Sequence, residues 1–200
     1  MSVVVARSQL EVPAAIDDTR GTWAMAWFIA TEAMLFVMLF FSYAYLGHDK
    51  HKWPPEAPKL TFALIMLAVL LSSSVVLYLG EEQEKKGHSG TAKAFVFGTV
   101  ILGLAFITLQ CFEYADHLKT LSPFDNAYGS IFYMITSLHG AHVVLGLLML
   151  MYVLVLPQIG PAEKPPHRAL HNVGLYWHFV DAVWVVIVSW LYVAPHLGSG

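Results

Sequence analysis

The chain has 200 residues and a formal net charge of −3 at pH 7, with 57% of its residues hydrophobic and only 12% charged. An ordinary soluble domain carries about 25% charged residues, and here the charged ones are confined to short stretches between long apolar runs. No basic stripe, zinc-finger spacing or glycine-rich phosphate loop is present, so nothing points to nucleic acid.

A membrane-spanning helix needs roughly 20 apolar residues, because at ~1.5 Å per residue that length matches a ~30 Å hydrocarbon core. Uninterrupted runs of that length exclude the alternating strands of a barrel. In chain order, Met1 to Arg20 reads as a polar tail: Val3 to Val5 is too short for a signal-peptide core, and Glu11, Asp17 and Asp18 follow it. The first apolar segment is predicted from Thr22 to Leu46, opened by Trp23 and Trp27. His48 to Lys59, with Trp53-Pro54-Pro55, stops it. The second runs from Leu60 to Leu79 and is expected to continue into water through Glu81 to Lys86, where Glu81 and Glu82 reach Lys85 and Lys86 at i+4. The third covers Ala94 to Tyr114 and holds the single cysteine, Cys111, which reads as a small buried hydrophobe. A lone cysteine allows neither an intrachain disulfide nor a paired-cysteine metal site. The fourth runs from Ser130 to Leu156 and is stopped by the Pro157 to Pro166 stretch; the fifth covers Leu175 to Val193. Trp190 and Tyr192 close it and are expected at the headgroup level. The predicted class is therefore all-α, an integral membrane bundle of five transmembrane helices, with a polar tail over 1–21 and one membrane domain over 22–200.

Positive charge sets the orientation. Arg7, Arg20, Lys85, Lys86, Lys93, Lys164 and Arg168 fall on one side, and Lys50, Lys52, Lys59 and Lys119 on the other, a division of 7 against 4 of the 11 basic residues. The N-terminus is expected in the cytoplasm and the C-terminus outside.

Ionisable residues inside the apolar runs need an explanation, since a charge at a helix centre costs on the order of 3 kcal/mol on insertion scales. Glu32, about ten residues into the first segment, is expected to be neutral or paired with a donor across a helix interface, or to organise a lipid or influence proton movement. Gln110 and Glu113 share a face at i, i+3, with capping or an interhelix bond expected for Glu113. His139 and His142 also share a face, beside Gly140 and Gly146, which allow close helix approach. Two imidazoles on one face cannot clasp a haem from both sides, so bonds to neighbouring helices are the simpler reading. Trp177, His178, Asp181 and Trp184 lie along one side of the fifth segment, where Asp181 suggests a structural ion pair with histidine or an interhelical tether. No nucleophile or oxyanion donor stands beside it, so no catalytic residue and no metal ligand is assigned.

These residues also carry a resemblance. Tyr176-Trp177-His178-Phe179-Val180-Asp181-Ala182-Val183-Trp184 resembles the final-helix signature of cytochrome c oxidase subunit III, a family of haem-copper oxidase subunits. Thr136-Ser137-Leu138-His139-Gly140-Ala141-His142-Val143-Val144-Leu145-Gly146 resembles that family's penultimate helix. Gln110, Glu113-Tyr114, Asp125, Tyr128-Gly129-Ser130 and Phe132 are similar to the stretch before it, and Thr31-Glu32 before Met34-Leu35-Phe36 to its intramembrane-glutamate helix. The resemblance implies a five-helix bacterial form without the first two helices of seven-helix relatives, which in those proteins wall a lipid-filled cleft. Phe41, Tyr45 and His171 depart from the longer relatives, which often have tryptophan, histidine and glutamate at these positions. It further implies a non-redox subunit of a proton-pumping terminal oxidase in the inner membrane. Such a subunit stabilises subunit I, binds phospholipid and supports proton uptake. Haem and copper then belong to partner subunits I and II, and phospholipid is the one non-protein component expected on this chain. Service in a quinol oxidase or a nitric oxide reductase complex is the nearest alternative. A small membrane haem protein using His139, His142 or His178 is a second, and a transporter using Glu32 and Asp181 a third; the lack of repeats and broken helices counts against the last.

Overall fold

A computed structural model describes residues 14–48, 53–54, 60–118, 123–124, 126–155 and 166–197. The expected connectors over 49–52, 55–59 and 156–165 lie outside the described residues, as does most of the polar tail. Five helices are long and apolar enough to cross a membrane. They are α1 (Ala14–Gly47), α2 (Leu60–Lys85), α3 (Ser89–His117), α4 (Ala127–Val155) and α5 (Pro166–Ile187). α5 runs on through a π-helical segment, Val188–Val193, into a last α-helical turn, α6 (Ala194–Leu197). Most of these helices outrun the apolar segments, and the spans of 26 to 29 residues measure about 40 Å at 1.5 Å per residue, enough to carry a helix through the headgroup layers.

At the N-terminal end the structure differs from the sequence reading. Helix begins at Ala14, inside the stretch read as tail over 1–21. Hydropathy marks where a chain leaves the lipid, not where a helix starts. The Ala14-Ala15 pair suits a helix start, alanine being the strongest helix former.

The turn between α2 and α3 follows from local chemistry. Gly87 sits at φ 80°, the left-handed region that glycine enters without a Cβ penalty. Its N–H donates to Glu84 O at 2.9 Å and the His88 N–H to Gln83 O at 2.9 Å. That pair of bonds is a Schellman cap, which satisfies carbonyls left over at the helix end. α3 starts at once, so α2 and α3 form a tight antiparallel hairpin with the most extensive contact of any helix pair. At the other end of the bundle, Asn126 Oδ1 accepts the Gly129 N–H at 2.7 Å and caps α4.

α5 is the axis around which the rest packs. It contacts α1, α2 and α4, and Tyr176, Trp177, Trp184 and Ile187 on it are fully buried. Trp177 lies in a slot between two glycines. A Cβ on Gly103 of α3 would come within 2.8 Å of its ring, and one on Gly146 of α4 also within 2.8 Å. Without side chains at those positions, three helices close on one indole, the small-residue packing that substitutes for a hydrophobic drive within lipid. α1 is the outermost helix, packed on α4 and α5, and its other face exposes Trp27, Met34, Met38, Phe41 and Tyr45.

Gly103→Ala and Gly146→Ala are each expected to lower stability by about 1–3 kcal/mol through overpacking against a rigid ring. Gly98→Ala, whose Cβ would meet only Val76 at 3.5 Å, should be neutral. Thermal unfolding of the three variants in detergent checks this; equal midpoints would refute the slot.

Candidate functional site

Each intramembrane polar residue singled out from the sequence sits at a helix–helix seam or, for His139, in the core. At mid-depth, Glu32 of α1 meets His142 of α4, Oε2 to Nε2 at 2.8 Å. Glu32 is about 18 Å along α1 from Arg20. The other ring nitrogen, Nδ1, is 2.7 Å from Leu138 O. A carbonyl only accepts, so Nδ1 carries a hydrogen, and a neutral ring then offers Nε2 as a bare acceptor. A bond to Glu32 therefore needs one proton between the two groups. Either a carboxylic acid donates to imidazole, or imidazolium donates to carboxylate; both forms are neutral as a pair. The edge of Phe36 packs on the His142 ring at 5.0 Å between centroids, and Tyr176 Oη donates to His142 O at 3.4 Å. The Glu32 side chain keeps 22% of its surface exposed, so the pair is reachable from outside the bundle.

The α2–α5 seam holds Trp177 and His178. Trp177 Nε1 donates to Ser73 Oγ at 3.0 Å, and His178 Nδ1 lies 2.5 Å from Ser74 Oγ. His178 thus engages Ser74 and not Asp181, the histidine partner expected for the acid. The Ser74 hydroxyl lies beside the Asp181 carboxyl as well, yet neither Asp181 oxygen has a hydrogen-bond partner in range. Further along, Glu81 at the end of α2 accepts from His171 at 3.4 Å. A Cβ on Gly174 would sit 1.8 Å from Glu81 Oε1, so only glycine leaves room for that carboxylate. His139 is fully buried with neither ring nitrogen bonded. Its ring stacks on Trp184 at 4.9 Å and meets the edge of Phe106 at 5.7 Å, which makes it a packing element.

Toward the far end, α3 is tied to α4 and to the end of α5. Gln110 Nε2 donates to Thr136 O at 2.8 Å, and Tyr114 Oη donates to Thr136 Oγ1 at 2.7 Å. Tyr192 Oη donates to Glu113 Oε1 at 3.0 Å, and both residues are buried. Glu113 therefore takes the interhelix option. Tyr192, expected among the headgroups, is turned inward instead. It belongs to the π-helical segment, whose wider turn adds a residue and resets the register, so that Val188, Leu191 and Tyr192 all face the bundle. Trp190, by contrast, remains 44% exposed, stacked on Phe40 at 5.8 Å. Cys111 also departs from expectation: it is exposed on the outer face of α3, because Gln110 and Glu113 occupy the inner face. The partner hydroxyls, Ser73, Ser74 and Thr136, were not legible as functional from the sequence. Within apolar runs they look like filler.

Comparison with known proteins bears on what this array serves. The family model for cytochrome c oxidase subunit III matches residues 14–195, nearly the whole chain. The chain belongs to the cytochrome c oxidase subunit III family. Among its relatives, the cytochrome c oxidase subunit 3 of Synechocystis sp. is 32% identical over 169 residues, covering 82% of this chain and 72% of that protein. That of Drosophila yakuba is 32% identical over 180 residues, covering 85% and 68%. That of Thermostichus vulcanus is 29% identical over 169 residues, covering 83% of each. In this subunit III, the Tyr176 to Trp184 signature is the buried axis of the bundle. Its aromatic and polar members reach α2, α4 and, through Trp177 and Trp184, the Gly103 and Phe106 positions of α3.

Tyr192→Phe should cost on the order of 1–3 kcal/mol by stranding a buried acid without its donor. Pairing it with Glu113→Gln should recover part of that loss. A double-mutant cycle on unfolding midpoints measures the coupling, and strict additivity would refute it.

Proposed function

We propose that this chain is the non-redox subunit III of a proton-pumping haem-copper cytochrome c oxidase in a bacterial inner membrane, oriented with its N-terminus in the cytoplasm. It packs on subunit I, beside subunit II, holds subunit I in its working form and supports proton uptake into it. Haem, copper and oxygen reduction reside in those partners. The chain itself supplies packing surface and phospholipid contact.

The observation that carries this reading is the Glu32–His142 pair. It is a single-proton, net-neutral contact at mid-depth, partly open on the outer helix of the bundle, where a lipid or a partner helix can touch it. Glu113, His178 and Glu81 tie helix to helix, which suits a scaffold better than a reaction centre. Two of the imidazoles that the haem alternative requires are engaged by protein atoms, His142 by Glu32 and His178 by Ser74, and His139 is enclosed by rings.

Tagging the chain and purifying it from native membrane should bring down a haem-bearing subunit I, oxygen consumption and retained phospholipid. Glu32→Gln should assemble normally, since an amide N–H can donate to His142 Nε2. It removes the shared proton, so lipid retention should fall or activity should decay faster during turnover. Unchanged behaviour on both counts would overturn the role given to Glu32. A Soret band from the isolated subunit would overturn the non-redox assignment.

A further inference from the structure

The helices packed around α5 leave one side of it open. α1, α2 and α4 lie against it, and α3 reaches it through Gly103 and Phe106. α1 packs on α4, α4 on α3 and α3 on α2, while α1 and α2 make no substantial contact with each other. The opening is the gap between those two. Its α2 wall is marked by His178 on Ser74 and His171 on Glu81. Its α1 wall is marked by Asn172 on Thr22 and Phe179 against Phe36. His178 and Phe179 are consecutive yet touch opposite walls, so the open arc of α5 spans about 100°, one residue step. A single neighbouring helix covers a stripe of that width. Leu175, Ala182, Val185 and Ser189 form the floor, at spacings of seven, three and four residues that keep them on one face.

Hydrocarbon is a poor occupant for this groove. His178 lies three residues inside the apolar run that begins at Leu175, and Ser74 five residues inside the one that ends at Leu79. Both therefore sit about 5 to 8 Å below the hydrocarbon edge. Nδ1 of His178 is taken by Ser74, and Nε2, unbonded among the described residues, is not sealed within the bundle. An acyl chain offers that nitrogen nothing, and an unmet polar group at such depth is costly. Hydroxyls elsewhere on the outer surface, Ser42, Ser72 and Thr108, instead bond to carbonyls of their own helices. We infer that the groove seats one transmembrane helix of the haem-bearing subunit I, which brings a hydrogen-bonding side chain to His178. Ala182 and Ser189, small and exposed, let the backbone of that helix approach closely. The inference rests on the reading of the chain as subunit III and names the face on which it meets its partner.

The test uses the intact complex, drawn from native membrane through a tag on this chain. A benzophenone-bearing residue replaces Ala182 in the groove or, as a control, Ile101 on the exposed outer face of α3. After illumination, mass spectrometry identifies what each probe has captured. The probe at Ala182 should link this chain to the haem-bearing subunit, and the probe at Ile101 should capture lipid. Ala182→Trp, whose side chain points out of the bundle and fills the groove, should lower the haem recovered through the tag about tenfold. Ile101→Trp should leave it unchanged. A lipid, a second copy of this chain or any other protein captured at Ala182 would overturn the proposal. So would an Ala182→Trp complex that keeps the haem of the parent. A parent chain that brings down no haem would sink the subunit III reading itself, and the groove assignment with it, before any probe is read.

Discussion

A polar group in hydrocarbon has no water to fall back on, so leaving it without a partner inside the protein is costly, and most of those in this bundle have one, Asp181 and His139 among the exceptions. That constraint organises this bundle. Glu32 fixes which face of α1 meets α4, Glu113 fixes how α3 meets the end of α5, and the serine pair on α2 fixes the register of α5 through Trp177 and His178. Single polar contacts between membrane helices are worth only about 0.6 kcal/mol on average, so they are poor glue. Their value lies in the penalty for the wrong arrangement: a rotated α5 would strand an indole N–H, an imidazole and a phenol at once. Shape supplies the adhesion, through Trp177 between Gly103 and Gly146, and polarity selects the arrangement.

The same division explains what could be read from the residues. Five long apolar runs are a one-dimensional property, and all five became spanning helices. The Gly87 turn between α2 and α3 and the Asn126 cap of α4 rest on ordinary local chemistry but emerged only from the structure. Facing is harder. Gln110, Glu113, His139 and His142 could be placed on shared helical faces, but the helix opposite each face is a tertiary fact, and the partners of Glu32 and Glu113 carry no local mark of pairing. The π-helical segment is the sharpest case. Nothing in Val188–Val193 signals an added residue in the turn, and without it an interfacial tyrosine was the natural reading of Tyr192. Cys111 shows the converse: an apolar run does not say which of its members faces lipid. The start of α1 was missed because hydropathy finds the lipid boundary and not the helix boundary.

The position of α1 gives the Glu32–His142 contact its significance. The other helices are interlocked around α5, whereas α1 is held from one side, by Thr22 on Asn172, by rings such as Phe28 on Tyr176, and by this pair. With Leu138 O accepting from Nδ1, one shared proton satisfies the contact at 2.8 Å, as acid to imidazole or as imidazolium to carboxylate. It is the polar contact that sets α1 on α4 at mid-depth, and it lies on the outermost helix, whose other face is free. The serine–histidine bond of α5 and the tyrosine–carboxylate bond of the π-helical segment lie between helices that are already interlocked, so the seating of α1 depends more on a single pair than that of any other helix does.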